Sequence, residues 1–173
     1  MNSLVIANII RFVLLVMAQV LILKRIAFNF GEFAFIHFII YPLLILLMPL
    51  NWPRPVQMGV GFLLGLVIDV FYDSLGIHAA ACVFTAYIRP YILSLLEPYE
   101  GYSNKMSPTV KSMGLTWFLS YCGIMLGLHL FFYFSVEAFS FVFLFEIILN
   151  TIFSLISSII VIVLVMLIFN PKY

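Results

Sequence analysis

Long apolar runs dominate the chain, separated by short polar or proline-containing breaks. A hydrocarbon core about 30 Å thick takes roughly 20 apolar residues to cross as a helix. By that ruler the pattern predicts six spanning helices, over 4–23, 33–50, 56–71, 79–96, 113–134 and 141–169. Lys24-Arg25 closes the first, and Pro49, Pro53 and Pro55 break the chain around Asn51-Trp52, with Trp52 suited to the headgroup level. Asp73-Ser74-Leu75-Gly76 reads as a tight turn in which Asp73 or Ser74 caps the fourth helix. The longest polar stretch, 97–111, holds Pro98, Gly101, Ser103, Asn104, Lys105 and Pro108 and is expected to be a cytoplasmic loop. Arg89-Pro90 lies inside the fourth run and offers it an earlier end near Tyr87. The last run is long for one straight span, so it tilts or begins within the membrane near Glu146.

Composition turns this pattern into a class. Of 173 residues, 65% are hydrophobic and 9% charged, with a mean hydropathy of +1.23. Soluble domains carry about 25% charged residues, and one of about 150 residues buries only about 70% of its surface. So large an apolar excess excludes a soluble globule, a disordered chain and a disulfide scaffold. It leaves one all-α integral-membrane domain over 1–173. The first segment reads as a retained helix, since it has no basic leader, Arg11 interrupts it, and no small-x-small site follows. A net charge of +1 gives no reason to expect nucleic acid. With six spans, Arg54, Lys105, Lys111 and Lys172 share the side of both termini and Lys24 and Arg25 take the other, so the positive-inside rule places the termini in the cytoplasm. Cys82 and Cys122 sit in apolar surroundings and read as small hydrophobes.

An ionisable group in hydrocarbon costs about 2.5–3.5 kcal/mol on insertion scales, so each one inside a run needs a reason. Gly61, Gly65, Asp69 and Asp73 recur every four residues and share a helix face. Gly61-x-x-x-Gly65 admits a close backbone, and the stripe ends either in a polar site or in a cap for the following hairpin. Arg11 and Gln19 lie within the first run, where Arg11 either snorkels to the headgroups or pairs with a carboxylate such as Glu146. Glu146, Asn150, Ser154 and Ser158 form a second stripe, read as interhelical hydrogen bonding or as a substrate or proton path. Arg89 completes the set of candidate buried polar residues. Thr116, Ser120, Gly123 and Gly127 read as close packing. His37, His78 and His129 are scattered over different segments and suggest no metal site. Motifs for hydrolysis, phosphate cradling or thiol chemistry do not occur, so neither enzyme activity nor a cofactor is expected.

The third and fourth runs carry a resemblance. Gly65-Leu66-Val67-Ile68-Asp69, then Asp73-Ser74-Leu75-Gly76-Ile77-His78-Ala79, then Ala86-Tyr87, resembles the central hairpin of the rod shape-determining MreD family. Gly65, Leu66, Asp69, Leu75, Gly76, His78 and Ala79 match its pattern. The turn departs from it, because many members have a proline before Leu-Gly where this chain has Asp73-Ser74. The resemblance implies a six-helix bundle similar to the S component of energy-coupling-factor transporters. It also implies a non-enzymatic scaffold of the bacterial inner membrane that binds MreC. Through MreC such a scaffold links to MreB, to RodA and to RodA's partner transpeptidase, which build lateral peptidoglycan. In that role the Gly61–Gly65 face and Asp69 would dock a partner's membrane helix, and the 97–111 loop would be the main cytoplasmic contact. A vitamin-type transport subunit is the alternative, although an Ala-x-x-x-Ala pair on the first helix is missing: Ala7 and Ala18 stand too far apart.

Overall fold

The structure is a computed structural model that describes residues 3–26, 28–30, 33–102 and 107–169. Lys105 and Lys172, two cations of the orientation argument, lie outside the described residues, as do Ser103 and Asn104 of the polar loop. The chain begins with α1 (Ser3–Met17), which continues through a π turn (Ala18–Ile22) into a 3-10 turn (Leu23–Arg25). A small antiparallel hairpin follows, β1 (Phe28–Phe30) and β2 (Phe33–Ile36). Then come α2 (Leu43–Leu46), α3 (Arg54–Tyr72), α4 (Ile77–Leu95), α5 (Val110–Met113), α6 (Leu115–Ala138) and α7 (Leu144–Phe169). Among the described residues, three helices are long and apolar enough to cross a membrane: Arg54–Tyr72, Leu115–Ala138 and Leu144–Ile168.

The helix expected over 33–50 does not form. Its first part is strand β2, 37–40 has no regular secondary structure, and only one turn, α2, is helical. Two prolines explain this. Pro42 has no N–H, and its ring clashes with the carbonyl four residues back, so no helix propagates back through 38–41; Pro49 ends the window on the other side. Phe33, Phe35, Ile36, Phe38, Ile39 and Ile40 are aromatic or β-branched, and such residues favour extended backbone.

This broken segment nonetheless lies at the centre of the bundle. Ile39 to Met48 are buried without interruption, and Tyr41, Ile45 and Leu46 are wholly enclosed. The segment runs beside α4: Tyr41 meets His78 near the start of α4, and Met48 meets Arg89 near its end. Irregular backbone at membrane depth is tolerated only where protein supplies its hydrogen bonds. That requirement governs where the polar side chains sit.

The α3–α4 hairpin follows the expected boundaries closely. Pro53 is extended at the N-cap of α3 with Pro55 in its first turn, where a missing N–H costs nothing. α4 passes through Pro90 and ends at Leu95, so the earlier end near Tyr87 is not taken. Gly65 sets the crossing: a Cβ there would lie 2.6 Å from the Ala79 backbone nitrogen, too close for any side chain. At Gly61 a Cβ would approach the Cys82 carbonyl oxygen at 3.1 Å. The glycine face is therefore filled by α4 of the same chain, which corrects the expectation that it receives a partner's helix. Gly123 and Gly127 face Ile159 and Leu155 of α7 at ordinary van der Waals distance. Cys82 and Cys122 are free and buried.

Candidate functional site

Three groups of polar side chains meet the broken segment. At its upstream end, Gln19 in the π turn acts as a double clamp. Its Oε1 accepts the Ile40 N–H at 2.9 Å, while its Nε2 donates to the Phe38 carbonyl at 2.9 Å and to the Tyr72 hydroxyl at 2.8 Å. α7 supplies serines one helical turn apart. Ser154 Oγ accepts the His37 N–H at 3.0 Å, and Ser158 Oγ accepts the Ile39 N–H at 2.8 Å while donating to the His37 carbonyl at 3.3 Å. This irregular stretch thus takes its backbone hydrogen bonds from side chains of other segments.

At the downstream end Arg89 performs the complementary task. It is fully buried, its Nε donates to Tyr121 Oη at 3.0 Å, and one Nη donates to Gln57 Oε1 at 2.8 Å. The other Nη donates to the carbonyls of Leu46 and Met48, and Tyr121 donates to Leu46 as well at 3.1 Å. These carbonyls are the ones left open where α2 stops, and a cation there also meets the negative end of the helix dipole. These partners of Arg89 are all neutral oxygens, so its role is to terminate the broken segment.

Asp69 caps a helix. It is 4% exposed; its Oδ1 accepts from Ser74 Oγ at 2.6 Å and from the His78 N–H at 3.0 Å, and its Oδ2 accepts the Ala79 N–H at 2.9 Å. A carboxylate from the last turn of α3 thereby satisfies the open N–H groups of α4 and meets its positive end. This corrects the expected capping by Asp73 or Ser74. Asp73 is exposed and adopts the left-handed conformation that ends α3 (φ 55°), and Gly76 (φ 85°) takes the N-cap position of α4. Leu75 at the tip is fully exposed.

The remaining candidates do not converge. Arg11 borders an apolar recess with Leu14, Leu43, Val165 and Met166. Glu146 stands at the opposite end of α7, beside Glu137, Phe134 and Asn150. The twenty positions from Glu146 to Met166 amount to about 30 Å of helix, so the proposed Arg11–Glu146 pair is not formed. The stripe on α7 is divided: Ser154 and Ser158 are buried on the broken segment, Glu146 is exposed, and the Asn150 Oδ1 is enclosed without a partner.

Sequence reasoning missed Tyr41 and Thr85, and it read His78 and His129 as scattered where the structure joins them through Tyr41. Tyr41 Oη lies 2.8 Å from His78 Nδ1 and 2.9 Å from His129 Nε2, and Thr85 Oγ1 lies 2.7 Å from His129 Nδ1. All four are buried. They come from three separate segments, so no local spacing announces them. Compared with known families, with curated proteins and with solved structures, the chain matches none.

Proposed function

We propose that the protein is a non-enzymatic scaffold of the bacterial inner membrane, of the MreD type. It acts in the cell-elongation complex, binding MreC and through it coupling MreB to lateral peptidoglycan synthesis by RodA and its transpeptidase. One observation carries this reading. The residues that bear the resemblance are the ones that build the α3–α4 hairpin: Gly65 sets the crossing, Asp69 caps α4, Gly76 turns the chain and His78 anchors the polar core. The motif is thus a folding device, and a chain that shares it shares the hairpin. In this reading the broken segment provides the second of six crossings, both termini face the cytoplasm, and recognition falls to the outward faces of the bundle.

The experiment is deletion in the native cell together with affinity purification of the tagged chain from its membranes. Loss of rod shape and recovery of MreC with the tagged protein are expected. Normal shape and an MreC-free preparation would contradict the reading.

A transport subunit resembling an S component is the second reading, and one observation favours it. Transporters place substrates at discontinuous helices, and this bundle contains a broken segment. Its amides and carbonyls, however, are already bonded to Gln19, Ser154, Ser158, Arg89 and Tyr121. The polar cavity beside the segment measures about 50 Å³, far below the roughly 300 Å³ of a ligand pocket.

A further inference from the structure

The turn between α6 and α7 carries two unfavourable features on one residue. Phe139 closes α6 in the left-handed conformation (φ 46°), where glycine or asparagine would be less strained. Its ring is also 93% exposed, and Val142 and Phe145 beyond it are 87% and 73% exposed. Packing within the chain compensates neither the strain nor the bare ring. Phe143 and Leu144 are exposed as well. Between Lys111 and Lys172 the only Asp, Glu, Lys or Arg residues are Glu137 and Glu146, which flank this turn.

The neighbouring surface says what covers these side chains. α6 and α7 are each long and apolar enough to cross a membrane. On α7, Phe145, Ile148, Ile152, Ile156, Ile160 and Leu164 are all exposed and recur every three or four residues, so they form one outward stripe. On a spanning helix such a stripe faces lipid. Val142 stands three residues before Phe145 and prolongs the stripe into the turn, so one medium covers both. From Phe145 to Ile168 the stripe measures about 35 Å, against about 30 Å of hydrocarbon and about 5–7 Å of headgroups on each side. The surplus equals the depth of one headgroup layer. Carboxylates are costly in hydrocarbon, so Glu137 and Glu146 place that layer at the turn. The same end of the bundle carries Leu75, wholly exposed at the α3–α4 tip, because Tyr133 near the end of α6 stacks at 4.7 Å on His78 at the start of α4. The opposite end is polar, with Glu97, Glu100 and Lys111 exposed.

We propose that the α6–α7 turn lies within the headgroup layer of the bilayer, with Phe139, Val142 and Phe145 reaching the acyl boundary, and that it anchors this end of the bundle on the lipid surface. Apolar side chains held at that level fix the depth and tilt of the helices they join. This placement rests on the membrane embedding of α6 and α7, and either function proposed above could contain it.

The test uses the full chain in nanodiscs, with a nitroxide attached to one introduced cysteine at a time. Cys82 and Cys122 are buried and stay unlabelled in the native protein, which the unsubstituted chain checks. Val142→Cys and Phe145→Cys report the turn, Ile156→Cys the middle of α7, and Glu100→Cys the polar end. All four positions are exposed, so the substitutions leave the packing intact. Collision with oxygen reads lipid contact, and collision with a water-soluble nickel chelate reads water. At both turn positions nickel collision should be about tenfold below that at Glu100→Cys, the exclusion that about 1.4 kcal/mol of polar transfer cost produces, with oxygen collision retained. Nickel collision equal to that at Glu100→Cys, with Ile156→Cys shielded, would place the turn in water and overturn the proposal alone. Loss of both collisions at the turn would mean a protein cover, such as a second copy, and would overturn it too. Nickel access at Ile156→Cys would contradict the embedding itself, and the proposal with it.

Discussion

The Ser158 hydroxyl accepts the Ile39 N–H at 2.8 Å, joining α7 to a stretch of chain that lies 119 positions earlier. A serine at membrane depth thus completes the main chain of another segment. Removing it leaves a buried amide without an acceptor, at a cost of about 1–3 kcal/mol. Ser158→Ala should lower stability by that amount in equilibrium unfolding with sodium dodecyl sulfate. Val161, at a half-buried position on the same helix, supplies the control, since Val161→Ala removes packing and no hydrogen bond.

Asp69 separates a capping role from a docking role. Asp69→Ala orphans the His78 and Ala79 amides and should cost about 1–2 kcal/mol. Asp69→Asn keeps one oxygen acceptor and should cost less. Detergent unfolding of the purified chain checks both, and the losses should appear with no partner present. A pure docking residue would leave the isolated protein unchanged.

Gly65 tests the helix crossing. A methyl group there meets the Ala79 backbone, which cannot move aside as a flexible side chain would. Gly65→Ala should destabilise by about 1–3 kcal/mol through overpacking. Gly59 sits on the same helix with open space around its Cβ position, so Gly59→Ala should be neutral or gain up to about 1 kcal/mol from helix propensity. Thermal unfolding of the pair reads the contrast.

Arg89 should be the least replaceable residue of the set. Arg89→Met orphans the Met48 carbonyl and Gln57 Oε1, strips a donor from Tyr121, and leaves the Leu46 carbonyl with Tyr121 alone. At about 1–3 kcal/mol for each orphaned group, the total loss should exceed about 3 kcal/mol. Arg89→Lys should recover part of it, since an ammonium restores charge without the planar fork. The yield of monodisperse protein from membranes and the unfolding midpoint should both follow the order Arg, Lys, Met.

Much of this was legible in the sequence, and the part that was not has a physical cause. Helix α3, the glycine crossing and the polar stripes follow from periodicity, because they are properties of one helix at a time. The broken second segment was foreshadowed by Pro42 within an aromatic and β-branched run, yet hydropathy alone reads such a run as one more helix. Its partners were visible only as anomalies: Gln19, Arg89, Ser154 and Ser158 stand out as polar residues in apolar runs. What each one bonds depends on contacts between segments far apart in the chain. The same holds for Tyr41, whose hydroxyl joins His78 to His129.

The central claim is that polar side chains from the π turn after α1 and from α4, α6 and α7 complete the backbone of a non-helical segment inside the bundle. The most direct test is amide hydrogen exchange at Ile39 in the nanodisc-embedded protein, compared with Ser158→Ala. The account predicts strong protection of Ile39 in the native chain. It also predicts a selective loss of at least about tenfold in the variant, which corresponds to the roughly 1.4 kcal/mol expected of one such bond, with amides in the middle of α3 unchanged. Free exchange of Ile39 in the native protein, or equal protection in the two, would contradict it.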